Sequence, residues 1–454
     1  MSNPGHTCRR SGPRLAALAA GLLLTGSGAK TPTVTKADAK QHCLDGTCGV
    51  APRDSALLQL HKPSAKPSNK HLALKKVSLA DVGDDTLATC NDGSPGFFYW
   101  GPAAEKSRSW LVLLGYGGWC WDADSCALRS PEMSSSTPYG DTWDADPDGI
   151  LADTSFNRVW APQCSSDAWM GDIGANESEA GVNWRGARIM RTILRYLTSR
   201  RGGLRDGDLL VFGGLSAGAR GAMVHLDTLK RDGLVPKGVR LMGFLDSPYY
   251  VEMHPFKNNT DIWHRVETQT QQMALSLHNE EILRGHGACG LPEAWQCGFG
   301  QFRLQVVRTP YLLIASQYDW YGLLTAEGSD ENEDHCFPDP LCSYYRYAHR
   351  FARVTRQGVE QLFRHAGGSM GVFSSTCYNH AQSLWEAYTK ETVAGASRAD
   401  AFHQALQAFD SETATMPHII DTSCDGMNCG SGCLAKLDPV CLCPPDSSAS
   451  AMEE

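Results

Sequence analysis

Five residues, Gly214-Leu215-Ser216-Ala217-Gly218, constrain this chain more than any other feature. They follow the apolar run Leu209-Leu210-Val211-Phe212 and precede a segment in which Met223, Leu226 and Leu229 recur at helical spacing. Glycines flanking a serine let the backbone turn from strand to helix so tightly that the hydroxyl stands at the sheet edge. The positive end of the new helix then faces the same point. Small residues also fill ordinary strand-to-helix turns, so the pattern carries chemistry only if partners for the serine exist elsewhere.

A hydroxyl is a weak nucleophile until a base takes its proton, and that base must be held by a carboxylate, usually later in the chain. Asp319 follows the run 311–318 and lies where a strand ends. Asp246 competes for the role, following the run 241–245, with capping of a turn before Pro248 as its structural alternative. For the base, His380 follows the apolar stretch from Gly371, whereas His225 lies one helix beyond Ser216 and His365 lies in a Gly-rich loop. The expected triad is Ser216, Asp319 and His380. Attack on a carbonyl also needs two backbone N–H groups aimed at the developing oxyanion. Ala217 supplies one. Gly118 and Trp119 are the candidates for the other, from Gly115-Tyr116-Gly117-Gly118-Trp119 directly after the apolar run 111–114. Trp121, Trp169 and Trp320 lie beside these motifs and are candidate pocket residues, although aromatic residues near a site are more often core.

Short apolar runs at 110–114, 158–162, 208–213, 239–245 and 311–315 read as buried strands, and 187–197 reads as an amphipathic helix. Strands and covering helices alternate, so the fold class is α/β, α/β-hydrolase-like, a mostly parallel sheet covered by helices. At 454 residues the chain can bury a large core without a metal or disulfide to staple it. Its net charge of −9, with no Lys/Arg block, argues against nucleic acid or an anionic lipid surface as partner.

The ends differ from this middle. Arg9, Arg10 and Arg14 precede ten apolar residues and Ser27-Gly28-Ala29, which predicts a secretory signal peptide over 1–29 and no stable membrane insertion. Cleavage there removes three arginines and Cys8, taking the charge from −9 to −12 and leaving sixteen cysteines, an even count suited to an oxidising, extracellular compartment. Residues 30–85 read as a flexible linker with one bridged loop, Cys43 to Cys48. The hydrolase-like domain is assigned to 86–416. Residues 417–454 read as a Cys-rich extension and polar tail, in which disulfides are favoured over a zinc knot. Asn176 and Asn258 open glycosylation sequons. The expected oligomeric state is a monomer.

Two other patterns are set aside. Gly285, Gly287 and Gly290 match GxGxxG but follow a helical segment and include a cysteine expected to be bridged, so the phosphate-binding context is missing. The acidic loop from Asp144 through Asp146 to Asp148 starts like a calcium loop but has Ser155 where such a loop needs Glu, which favours a solvated acidic loop.

In order along the chain stand Thr89-Cys90-Asn-Asp-Gly-Ser-Pro95, Gly117-Gly-Trp-Cys120 with Cys126, and Asn157-Arg-Val-Trp-Ala-Pro-Gln-Cys164-Ser-Ser-Asp-Ala-Trp169. Arg185-Gly-Ala-Arg188, Gly214 to Gly218, Tyr318-Asp319, Cys377-Tyr-Asn-His380 and Asp421-Thr-Ser-Cys424 to Cys433 follow. Together they resemble the pectin acetylesterase/Notum family of secreted serine carboxylesterases, over residues 88–433. The resemblance implies Ser216, Asp319 and His380 as triad and Gly118, Trp119 and Ala217 as oxyanion site, with no metal and no cofactor. It implies an ester substrate, either an acetylated polysaccharide such as pectin or a fatty-acylated protein, and leaves the two open. Gly115, Tyr116 and Ala219 depart from the family pattern and bear on pocket shape. A catalytically inactive secreted binding protein and a serine peptidase on a similar fold are the alternatives.

Overall fold

The computed structural model describes residues 72–83, 85–253, 265–285, 287, 289–327, 343–411 and 414–433. The segment read as a signal peptide, most of the segment read as a linker with Cys43 and Cys48, Asn258, and the tail from 434 with Cys441 and Cys443 lie outside them.

Seven strands run parallel, and six of them form the core because each is apolar on both faces. Along β6 (Leu209–Leu215) every residue is buried, and β3 (Ser109–Leu114), β5 (Asn157–Ala161), β7 (Arg240–Asp246), β8 (Tyr311–Ile314) and β9 (Met370–Ser374) are nearly so. The seventh, β12 (His418–Ile420), pairs with β9 at one edge. At the other edge β2 (Phe97–Gly101), β1 (Ala73–Ser78) and β4 (Thr142–Asp144) add antiparallel pairs. The order is β12-β9-β8-β7-β6-β3-β5-β2-β1-β4. A two-stranded ribbon, β10 (Thr392–Val393) with β11 (Ala396–Ser397), stands apart.

Helix α1 (Gly186–Thr198) covers β2, and α2 (Ala217–His225) lies against β3, β6 and β7. Helices α3 (Arg265–Ser276) and α4 (Trp320–Glu327) touch each other, α5 (Ser343–His365) packs on β9, and α6 (Arg398–Asp410) on β8 and β9. The chain leaves β3 for β5 on one side and returns to β6 on the other. Strand order therefore reverses between β3 and β6, and the carboxyl ends at such a reversal form a crevice for ligands.

Three boundaries differ from the sequence reading. Residues 73–78, assigned to the linker, form β1. Lys75 and Lys76 made the stretch look solvated, but Lys76 packs over the Phe97 ring at 4.8 Å and its Nζ donates to Ser136 O and Tyr139 O. Residues 418–420, assigned to the extension, complete the parallel sheet; three residues between Pro417 and Asp421 are too few to show a period. The helix after Ser216 ends at His225, and Leu226 and Leu229 are buried in the turns beyond it.

All ten cysteines of the described residues are paired, as Cys90–Cys164, Cys120–Cys126, Cys289–Cys297, Cys377–Cys433 and Cys424–Cys429. Among the described residues no helix is long and apolar enough to cross a membrane, and no three His, Cys, Asp or Glu side chains converge as metal ligands. In the acidic loop, Asp146 accepts from the Asp148 backbone N–H and Asp148 lies 3.6 Å from Lys390.

Candidate active site

The loops after β3 and β6 meet at the strand-order reversal. Ser216 has φ +51° and ψ −117°, a conformation that a residue with a Cβ adopts at a cost, and α2 begins at the next residue. The turn holds because the Ser216 N–H donates to Asp246 O at the end of β7 and the Ser216 carbonyl accepts from Arg220 N. Gly218 is required for the close approach: a Cβ there would stand 2.0 Å from Leu114 O and 2.7 Å from Gly115 O.

His380 and Asp319 reach the same point from the loops after β9 and β8. His380 Nε2 lies 2.7 Å from Ser216 Oγ, and His380 Nδ1 lies 2.7 Å from Asp319 Oδ2. A carboxylate only accepts, so Nδ1 carries the proton and Nε2 is the acceptor for the serine hydroxyl. Asp319 Oδ1 in turn accepts from Gly322 N. All three residues are at most 5% exposed, where charge interactions are weakly screened. Tyr321 stacks on the His380 ring at 5.1 Å and Trp320 meets it edge-on at 5.4 Å.

The competing residues are elsewhere. Asp246 is fully buried and accepts from Ser247 Oγ and Ser383 N. Ser247 Oγ accepts from Ala381 N, so Asp246 holds the backbone that follows His380 and does not touch its ring. Beside it, Arg398 bonds Glu391 Oε2 at 2.8 Å and Asn379 Oδ1 at 3.0 Å and lies 3.5 Å from Asp246 Oδ2. His225 faces Trp169 O at 2.8 Å, and burial lowers its pKa to about 4. His365 is exposed at the end of α5.

In the β3 loop, Gly117 and Gly118 take φ +129° and +64°. The Gly117 carbonyl accepts from Arg129 Nη2 and the Gly118 carbonyl from Gln163 Nε2 at 2.8 Å. Each peptide is planar and trans, so the N–H of Gly118 turns away from Arg129 and that of Trp119 away from Gln163. Among the described residues, the N–H groups of Gly118, Trp119 and Ala217 donate to no backbone carbonyl.

The three candidate pocket tryptophans separate. Trp320 adjoins His380. Trp121 is half-buried, with its carbonyl accepting from Ser276 Oγ. Trp169 is core: it is 1% exposed, its Nε1 donates to Gly115 O, and it packs on Gly221 of α2. Asn176 is exposed in a turn. Arg129, Gln163, Arg398 and Tyr321 were not singled out from sequence, because their partners lie far along the chain and no local spacing marks them.

Residues 69–433 match the pectinacetylesterase family. The palmitoleoyl-protein carboxylesterase NOTUM of Drosophila melanogaster is 30% identical over 336 residues, 70% of this chain and 46% of that protein, so this chain spans about half its length. Pectin acetylesterase 5 of Arabidopsis thaliana is 25% identical over 356 residues, 73% of this chain and 79% of that protein. The solved structure of the Wnt deacylase Notum from Drosophila superposes with a TM-score of 0.67 at 22% identity, covering 80% of this chain and 99% of that one, and so shares the α/β-hydrolase-like fold. The chain belongs to the pectinacetylesterase family.

Proposed function

We propose that this protein is a secreted carboxylic-ester hydrolase that works through an acyl-enzyme on Ser216. The observation that carries the reading is the unbroken line from Ser216 Oγ through His380 to Asp319, two contacts of 2.7 Å at the N-terminus of α2. Ser216 attacks the ester carbonyl, its proton passes to His380 Nε2, and Asp319 holds the ring and stabilises the imidazolium that forms. The carbonyl π pair moves onto oxygen, where the N–H groups of Gly118, Trp119 and Ala217 are the assigned donors. Collapse expels the alcohol, which takes the proton from His380, and water repeats the sequence to release the acid. No step requires a metal or a cofactor. Five disulfides and the exposed sequon at Asn176 support secretion with glycosylation.

We further read the acyl group as short. The rings of Trp119, Tyr250 and Tyr321 pack with centroids 5.9–6.4 Å apart, in contact with one another, and Tyr321 closes on His380. Rings at such separations leave no gap for an alkyl chain between them. This favours an O-acetyl group, as on a polysaccharide, over a fatty-acyl group on a protein. A p-nitrophenyl ester series from acetate to palmitate tests both levels. Greatest kcat/KM at acetate is expected. A maximum at eight carbons or more reverses the chain-length assignment, and no Ser216-dependent turnover on any ester removes the esterase reading.

A further inference from the structure

Three hydrogen-bond donors around the Ser216 loop and helix have no partner among the described residues. The Tyr250 hydroxyl, the Trp119 indole N–H and Arg220 Nη1 are all buried, and among the described residues none has a partner. Buried polar groups are normally paired, and an unpaired one is costly, so three at one place point to an acceptor that arrives with the substrate.

Their arrangement identifies where that acceptor forms. Tyr250, four residues past the end of β7, is 2% exposed, and its hydroxyl faces Ser216 without a bond of ordinary geometry. Its ring sits 6.4 Å from Trp119 of the β3 loop and 5.9 Å from Tyr321, the ring stacked on His380. Arg220, in the first turn of α2, is fully buried. Its Nε and Nη2 bond Gly298 O and Thr270 Oγ1, while the guanidinium lies 4.0 Å from the Trp119 ring centroid and 5.5 Å from that of Tyr250. No carboxylate among the described residues forms an ion pair with it. A guanidinium does not lose its proton in a protein, so a positive charge that no described carboxylate pairs stands behind the loop that carries two of the assigned oxyanion donors.

Resting on the esterase reading above, we propose that the Tyr250 hydroxyl is a further hydrogen-bond donor to the substrate oxygen that becomes negative when Ser216 attacks, and that Arg220 positions Tyr250 and Trp119 for this. The phenol donates a hydrogen bond and keeps its proton; the serine proton still goes to His380. Burial first, and then the neighbouring Tyr321, hold the Tyr250 phenol well above its ordinary range, so it remains a donor throughout the neutral range. The Tyr250 hydroxyl is set in place before charge develops and is paired only once it does, which stabilises the transition state over the ground state.

Tyr250→Phe removes one oxygen and keeps the ring. With p-nitrophenyl acetate, its kcat is expected to fall about 10- to 100-fold with KM within twofold of wild type. Affinity for a trifluoromethyl ketone, which forms an oxyanion adduct on the serine, is expected to fall by a similar factor. A residue that only fills space would leave both unchanged, and kcat within twofold in a variant whose unfolding midpoint is not lowered overturns the proposal. Arg220→Met is expected to lower kcat with Tyr250 still present and Arg220→Lys to recover part of it; an undiminished kcat in Arg220→Met removes Arg220 from the proposal. The comparison is made against wild-type turnover that depends on Ser216. Absence of that turnover fails the esterase reading, whereas its presence with an indifferent Tyr250→Phe fails this inference alone.

Discussion

Ser216→Ala is expected to reduce kcat on p-nitrophenyl acetate by roughly 10⁵- to 10⁶-fold while leaving the fold intact. The substitution removes one hydroxyl from a residue that is 4% exposed, and with it the hydrogen bond to the His380 ring. The lost contact costs about 1 kcal/mol, small beside the stability of a domain this size. The strained backbone supplies a second readout. At φ +51° and ψ −117° alanine retains the strain that serine bears, whereas Ser216→Gly relieves it, so the glycine variant is expected to be more stable than the alanine by about 1 kcal/mol in denaturant titration, although equally inactive. Wild-type rates in a verified Ser216→Ala preparation would remove the serine from the reaction.

The second large effect is on stability. Arg398 is 1% exposed and its charge lies between Glu391 and Asp246, themselves almost wholly buried. Arg398→Met is expected to destabilise by about 3–5 kcal/mol, because it leaves two buried carboxylates without the cation that lies between them. The same guanidinium bonds Asn379, next to His380, and Asp246 holds the backbone at Ser383 beyond it. Whatever fraction remains folded is therefore expected to show reduced kcat, since the base loses its fixed position before the serine does. Chemical denaturation followed by tryptophan fluorescence measures the first part, and a midpoint unchanged within error would show that the network is not holding this loop.

How far the sequence could be read follows from what each element is packed against. The runs at 110–114, 158–162, 208–213, 239–245 and 311–315 were visible because parallel strands buried on both faces are apolar without interruption. The edges were not. β1 carries Lys75 and Lys76 among its six residues, and β4 and β12 have three residues each. In the site, the elbow and the glycine loop are local patterns, and a histidine and an aspartate at strand ends complete them. The surrounding contacts are of another kind. Gln163 against Gly118 and Arg398 against Asp246 join distant parts of the chain, and Arg129 against Gly117 and Arg398 against Glu391 have no spacing that announces them. Trp169 shows the reverse error: adjacency to a motif suggested a pocket, and the side chain is part of the core beneath it.

The bridge from Cys377 to Cys433 ties the loop bearing His380 to residues much later in the chain. Ser216 stands on a central strand and takes its geometry from neighbours on either side. The loop bearing His380 is fastened by later residues, by β12 laid along β9, by Thr376 on Asp421, and by a sulfur 56 residues downstream. One of the three fastenings on the His380 loop therefore exists only where thiols are oxidised. A copy held in a reducing environment has the same Ser216, His380 and Asp319, but lacks one of the fastenings on the His380 loop. Competence is in this sense a property of the compartment as well as of the amino-acid order.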